Sequence, residues 1–387
     1  MILFLLVYLS IYSGVHIYAF LKLKRGLALG LPAYSILAIF MILMVVAPIV
    51  VRISERYGYE AFARSLAYVG FTWMGLIFIF ISASFFFDIY RLLHFLARML
   101  TQSPLAGFTL SIKNFCTLAI LFSFAVVIYG YYEALHIRTE YVTVKTSKIP
   151  EKIGRFRVAQ ISDVHLGLIV GRSRLKRILK QVKDARPDIL VSTGDLVDGQ
   201  MDDLETLTDM FQNIPTKYGK FAITGNHEFY AGLNRALAFT EKAGFTILRG
   251  EGKTVSNFLN VAGVDDPAGR SYSQDGAVSE KVLLEKLPRE KFTLFLKHQP
   301  VISSDSLEMF DLQLSGHTHK GQIVPFNFVT KLYYRMRTGL SKINGNTLLY
   351  VSRGSGTWGP PVRFLSPPEV TVIDITYKNR SQVDEKL

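Results

Sequence analysis

Ile161-Ser162-Asp163-Val164-His165-Leu166-Gly167 sets a carboxylate and an imidazole two residues apart, at the end of a run, Arg157 to Ser162, that reads as a buried strand. Working outward, Arg172 to Ala185 carries Leu175, Ile178, Leu179 and Val182 at helical spacing, and Asp188 to Thr193 reads as a strand ending in Gly194-Asp195. A second helical segment, Asp202 to Asn213, leads to the strand Lys220 to Thr224 and then to Gly225-Asn226-His227. This alternation is a βαβαβ pattern, and it puts each polar, ligand-type residue in a loop at a strand end. Before it, Thr139 to Lys145 alternates as an edge strand and Ile149-Pro150 opens a turn. The chain shows no internal repeat, and only the last dozen residues read as a polar tail.

Two later segments extend the set: an isolated His298, and Gly316-His317-Thr318-His319. Of the eight histidines, all five beyond residue 136 fall in these segments, a concentration that scattered core histidines rarely produce. Taken singly, Asp163, Asp195 and Asn226 read best as helix caps or turn formers. Together with five histidines they supply enough ligands for two adjacent divalent ions. Carboxylate, imidazole and one amide oxygen suit Mn, Fe or Zn better than Ca or a thiolate-bound metal. Such an ion pair activates a water and clamps a phosphoryl oxygen, which points to metal-assisted phosphoester hydrolysis.

The ordered series D-x-H, G-D-x-x-D, G-N-H-D/E, lone His and G-H-x-H resembles the calcineurin-like metallophosphoesterase superfamily, over roughly Arg155 to Ile375. Single motifs are weak, whereas the ordered set is specific. The flanking text, Ile161 to Gly167, Leu314-Ser-Gly-His-Thr-His319 and Val351-Ser-Arg-Gly354, is similar to its bacterial membrane-associated or exported branch and to the type known as transmembrane protein with metallophosphoesterase domain. The resemblance implies an α/β fold in which a sandwich of two β-sheets is flanked by helices. By position, it implies Asp163, His165 and His319 on one ion, Asn226, His298 and His317 on the other, and Asp195 bridging both. It further implies that His227 faces the substrate, protonating the leaving oxygen or stabilising the transition state, and that Asp198 orients it. The reaction so implied is in-line attack on phosphorus by a hydroxide shared between the ions, without a phosphoenzyme. Lys320 departs from that branch, which has a small glycine after G-H-T-H, and its cation would crowd the site or meet substrate phosphate.

Composition divides the chain. It is 49% hydrophobic and only 19% charged, with the apolar excess at the front in four uncharged runs: Met1 to Leu21, Gly26 to Val51, Ser65 to Phe87 and Asn114 to Tyr132. A helix of about 20 residues crosses a hydrocarbon core of roughly 30 Å, so each run is long enough to span a membrane. A cleaved signal peptide fits the first run poorly, because basic residues follow it (Lys22, Lys24, Arg25) instead of preceding it. The expected organisation is a four-span transmembrane domain (1–133), a linker with an edge strand (134–154), a metallophosphoesterase domain (155–377) and a polar tail (378–387). Counting Lys and Arg near the spans puts the loop after the first span and the one holding Arg91, Arg98 and Lys113 in the cytoplasm. Both termini and the catalytic domain are then extracytoplasmic, in a bacterial inner membrane, although Arg52, Arg56, Arg64, Arg138 and Lys145 lie on the opposite side.

The net charge of +13 is shared, with +5 in residues 1–133 and +8 in the rest. No long basic run or recognition helix accompanies it, so nucleic acid is disfavoured and an anionic membrane surface or acidic substrate preferred. The only cysteine, Cys116, lies inside the fourth span and reads as an apolar filler. Pro325 to Arg337 interleaves aromatics with Lys331, Arg335 and Arg337, which suits a bilayer interface, a lipid-like substrate or an ordinary packed helix. Leu166, Leu168, Ile169 and Val170 suit a hydrophobic rim or, more commonly, a buried loop. Arg353 and Arg363 are candidates for phosphate contact, with a structural role favoured for each. The expected partners are thus the bilayer and a phosphomonoester, phosphodiester or pyrophosphate, with a lipid-linked one leading. A phosphatase or nuclease of soluble substrates, and a non-catalytic membrane interaction protein, are the alternatives. No feature sets an oligomeric state.

Overall fold

The computed structural model describes residues 2–101, 110–199, 205–271, 278–345 and 347–379. The expected polar tail lies outside these beyond residue 379, as does the start of the helix expected from Asp202. The described chain divides into two compact units, one built from residues 1–132 with 359–362 and the other from 133–358 with the remainder.

Four helices form the first unit: α1 (Ile2–Gly26), α2 (Leu31–Arg56), α3 (Glu60–Thr101) and α4 (Ile112–Leu135). All four are long and apolar enough to cross a membrane. Proline in the first turn of α2 suits its start, since that turn has no N–H partner to lose. Helix α3 runs well past the apolar stretch that announces it. With 42 residues at about 1.5 Å each it is roughly twice a hydrocarbon thickness, so its charged second half outruns any bilayer. No proline follows Phe87 until Pro104, so no helix breaker stops the chain there. Inside the unit, Trp73 Nε1 donates to His16 Nε2 at 2.9 Å while His16 Nδ1 meets Tyr12 O at 2.8 Å. Asp88 likewise accepts from Tyr18 and Lys22. Cys116 is buried, as an apolar filler would be.

The second unit contains, in chain order, β1 (Arg138–Thr146), β2 (Arg155–Ile161), α5 (Arg172–Ala185), β3 (Ile189–Ser192), α6 (Glu205–Gln212), β4 (Lys220–Ala222), α7 (Asn226–Ala231), α8 (Leu233–Lys242) and β5 (Thr246–Ile247). There follow β6 (Glu251–Ser256), β7 (Leu259–Gly263), α9 (Glu280–Glu285), β8 (Phe292–Leu296), β9 (Leu312–Ser315), α10 (Asn327–Tyr334), β10 (Gly339–Asn344), β11 (Thr347–Val351) and β12 (Glu369–Tyr377). They build two six-stranded mixed sheets, ordered β1-β12-β2-β3-β4-β5 and β10-β11-β9-β8-β7-β6. Strands β2 to β5 are parallel, and β1, an edge strand as its alternation suggests, runs parallel to β12.

Inward side chains of both sheets share one core, with Phe156, Val158, Ile189 and Val191 from the first and Val261, Leu294, Leu312 and Leu314 from the second. Each such side chain fully buried contributes about 1.5–3 kcal/mol. Parallel strands packed this way must end together, and so β2, β3 and β4 of one sheet and β8 and β9 of the other release their following loops at a common edge.

Candidate metal centre

Those loops bring the sequence motifs together. Asp163 and His165 follow β2, Asp195 and Asp198 follow β3, and Asn226 and His227 open α7 after β4. His298 follows β8, and His317 and His319 follow β9. Three clusters result, each with ligand-type atoms within 4.8 Å of one another: Asp163, His165 and His319; His165, Asp195 and His227; Asp195, His298 and His317. Asp195 Oδ2 lies 3.7 Å from His165 Nε2 and 3.2 Å from His298 Nε2, so one carboxylate stands between two groups of imidazoles. His165 Nε2 and His319 Nε2 are 3.1 Å apart, and His298 Nε2 and His317 Nδ1 also 3.1 Å.

The backbone is strained where it carries these groups. Among the described residues, eleven non-glycine positions have positive φ, and Asp163, His165, Asp195, His317 and His319 are five of them. The left-handed region costs an L-residue about 1–2 kcal/mol, so the surroundings must over-determine each conformation. They do so through bonds between loops: Asp163 N donates to Gly194 O, His165 N to Asp195 O and Leu166 N to Leu196 O, all within 3.0 Å. Asp163 is held further by Ser162 Oγ at 2.5 Å and by His317 N at 2.9 Å. This last contact explains Gly316, where an added Cβ would stand 1.9 Å from Ser162 Oγ and 2.1 Å from Asp163 Oδ2.

Electrostatics favour cations here. Three buried carboxylates, Asp163, Asp195 and Glu228, and the half-buried Asp198 accompany the imidazoles. Burial and the neighbouring His298 push His317 down to about 3, and burial with His165 and Arg363 holds His319 far below its usual range, leaving both rings neutral and able to ligate. His298 Nδ1 meets Thr193 O at 2.8 Å, which fixes the ring and leaves Nε2 facing Asp195. Asn226 Oδ1 is a buried oxygen with no hydrogen-bond partner in the protein, a costly state unless a cation takes it. Borderline nitrogen and oxygen donors grouped about one shared carboxylate, with an orphaned amide oxygen beside them, therefore fit two divalent ions.

His227 stands apart in one respect. It belongs to a cluster with His165 and Asp195, yet its Nδ1 lies 2.7 Å from Asp198 Oδ1. Burial opposes its charge, but Asp195, Asp198 and Glu228 outweigh burial and push its pKa up to about 9. Tyr230 and Trp358 rings flank it at 5.5 and 5.7 Å. Trp358 is fixed by a reciprocal pair, its N donating to Gln322 Oε1 and its carbonyl accepting from Gln322 Nε2, both at 2.9 Å. Tyr230 is an i,i+3 neighbour of this histidine on α7, whereas no spacing in the sequence marks Trp358 as one.

Arg363 and Arg353 are structural, as favoured above, and do not await phosphate. Arg363 is fully buried; Nε and Nη2 donate to Gly356 O, Nη1 to Arg353 O and Ser366 O, and Nη2 also faces His319 Nδ1 at 3.0 Å. Arg353 pairs with Glu369 and Glu140. Leu166, Ile169 and Val170 form a buried loop, paired through Leu166 to Val197, and so are not a rim, while Leu168 is half-buried. Lys320 adopts φ 51° and ψ 30°, a conformation in which glycine would cost less.

Comparison with known proteins agrees with this geometry. The family model for calcineurin-like phosphoesterases matches residues 156–321, which hold every motif residue above. An Aquifex aeolicus protein described as an uncharacterized metallophosphoesterase is 38% identical over 251 residues, 65% of this chain and 96% of its own length. A similarly described Helicobacter pylori protein is 32% identical, over 65% of this chain and 68% of its own. A zebrafish protein described as a transmembrane protein with metallophosphoesterase domain is 29% identical over 80% of this chain and 73% of its own. With the motif loops gathered at one sheet edge and relatives of this similarity matched over most of their length, the chain belongs to the calcineurin-like metallophosphoesterase family.

Proposed function

We propose that this protein is a membrane-anchored, dinuclear metal-dependent phosphoesterase that hydrolyses a phosphodiester, phosphomonoester or pyrophosphate, with a lipid-linked substrate leading. The observation that carries the proposal is Asp195 between His165 and His298. Asp163, His165 and His319 would hold one ion, Asn226, His298 and His317 the other, and Asp195 both. Two such ions, Mn, Fe or Zn by donor type, supply an activated water and neutralise phosphoryl oxygens. The remaining chemistry belongs to the chain. His227, backed by Asp198 and walled by Tyr230 and Trp358, delivers a proton to the leaving oxygen.

The lipid-linked preference follows from connectivity. Only His136 and Ile137 separate α4 from β1, so the catalytic unit is tethered by a short connection to the helix that would anchor it. Tethering raises the local concentration of a membrane-resident substrate and does little for a soluble one. A metal-supplemented screen over phosphomonoesters, phosphodiesters and lipid pyrophosphates tests the reaction class. For the tether, a chain truncated to begin near Ala134 is expected to keep kcat/KM on a small soluble phosphodiester and to lose about tenfold or more on the same headgroup in vesicles. Equal losses on both, or none on vesicles, would refute the preference and favour a soluble substrate.

Orientation is proposed from the basic residues Lys22, Lys24 and Arg25 after α1, which place both termini and the catalytic unit outside the cytoplasm. Fusions at the C-terminus to a reporter active only after export are expected to be active. Activity from a cytoplasm-dependent reporter instead would reverse the assignment.

A further inference from the structure

Helix α10 exposes a group of large apolar side chains on the catalytic unit. Leu332 is 80% exposed, Tyr333 79%, Phe328 59% and Val329 54%, and no residue of the helix is buried. At ~100° per residue, positions 328, 329, 332 and 333 share one face spanning about 140°. Single exposed apolar side chains are ordinary, but four on one face of a soluble helix indicate an occupant. The charge within the segment is of one sign: Pro325 to Arg337 holds Lys331, Arg335 and Arg337, all exposed, and no carboxylate. The other side of the helix is anchored to the metal centre. Gly321, two residues after His319, packs so closely that an added Cβ would lie 2.4 Å from Asn327 N, and the Tyr334 ring meets the His317 ring edge-on at 5.3 Å.

We propose that α10 docks on an anionic bilayer, with Phe328, Val329, Leu332 and Tyr333 entering the acyl boundary and Lys331, Arg335 and Arg337 resting among headgroup phosphates. A helix with an apolar face and cationic flanks lies in the interface plane, buried about 5–10 Å, and basic residues near an anionic surface add to the binding. The chain's own four candidate spans argue for this occupant over a protein partner, because a bilayer is always within covalent reach of α10. If the phosphoesterase reading also holds, docking sets His317 and its neighbours at headgroup depth, where a lipid phosphate sits.

The test needs no turnover, so its result stands apart from that reading. In full-length protein with Cys116→Ala, Phe328→Cys and Leu332→Cys singly carry a nitroxide, and Lys180→Cys on α5 serves as an exposed control. The proteins are placed in nanodiscs of phosphatidylcholine with and without phosphatidylglycerol, and collision with oxygen is compared with collision with a polar nickel chelate. Docking predicts an oxygen-to-nickel ratio at 328 and 332 several-fold above the control and rising with phosphatidylglycerol. A ratio equal to the control, or shielding from both probes as a protein partner or second copy would give, overturns it.

Discussion

Replacing Asp195 with Asn is expected to abolish hydrolysis and strip metal from the protein, whereas His227→Ala abolishes most turnover and leaves the metal in place. The asymmetry follows from position. Among the described residues Asp195 is the carboxylate that lies within 4 Å of both His165 and His298, and asparagine would remove the negative charge while offering a single oxygen to both sides. His227 is within reach of His165 and Asp195, so proximity alone would make it a ligand. Its partner argues otherwise, because Asp198 Oδ1 lies 2.7 Å from one ring nitrogen, where on the proposed reading it would back the ring for proton transfer. Removing a general acid costs about 10²–10⁴ in rate, while loss of a shared ligand removes the catalyst itself. Metal analysis of the purified variants beside kcat decides between them. If His227→Ala loses metal as completely as Asp195→Asn, His227 is a ligand and the proton must come from elsewhere.

Local patterns in the sequence were legible where local physics made them. The helix α5 begins and ends where Leu175, Ile178, Leu179 and Val182 place it, and β1 alternates as an edge strand should. The motif residues were readable because glycine and left-handed backbone leave a short spacing signature at strand ends, as Gly316 does beside Asp163. What was not legible depends on residues far apart in the chain. Parallel pairing of β1 with β12 joins positions 138 and 369, and no periodicity announces such a partner. Arg363 reaches His319 across 44 residues, and Trp358 reaches His227 across a longer interval. The length of α3 escaped for the opposite reason, since apolar runs mark a membrane span but not where a helix stops.

Glu228→Ala is expected to destabilise the catalytic unit strongly. Glu228 belongs to the Gly225-Asn226-His227 motif, yet the motif gives it no chemistry; its work is to clasp two loops. Its carboxylate, almost fully buried, accepts from Gly225 N at 2.6 Å, Asp195 N at 3.0 Å, Leu196 N at 2.7 Å and Val197 N at 3.3 Å. Burial and the charge of Asp195 raise its pKa, so the donors must hold an anion the site would otherwise reject. Alanine would leave those N–H groups buried without acceptors at about 1–3 kcal/mol each, less whatever water enters, for a net loss of roughly 3–5 kcal/mol. Thermal unfolding should fall by about 10 °C, and metal affinity by roughly 10–100-fold, because Asp195 loses its support. Glu228→Gln separates charge from shape: it keeps one acceptor but turns an amide donor toward other donors, so its loss should be intermediate. A Glu228→Ala protein that unfolds at the wild-type temperature with full metal content would mean that the inter-loop backbone bonds hold Asp195 unaided.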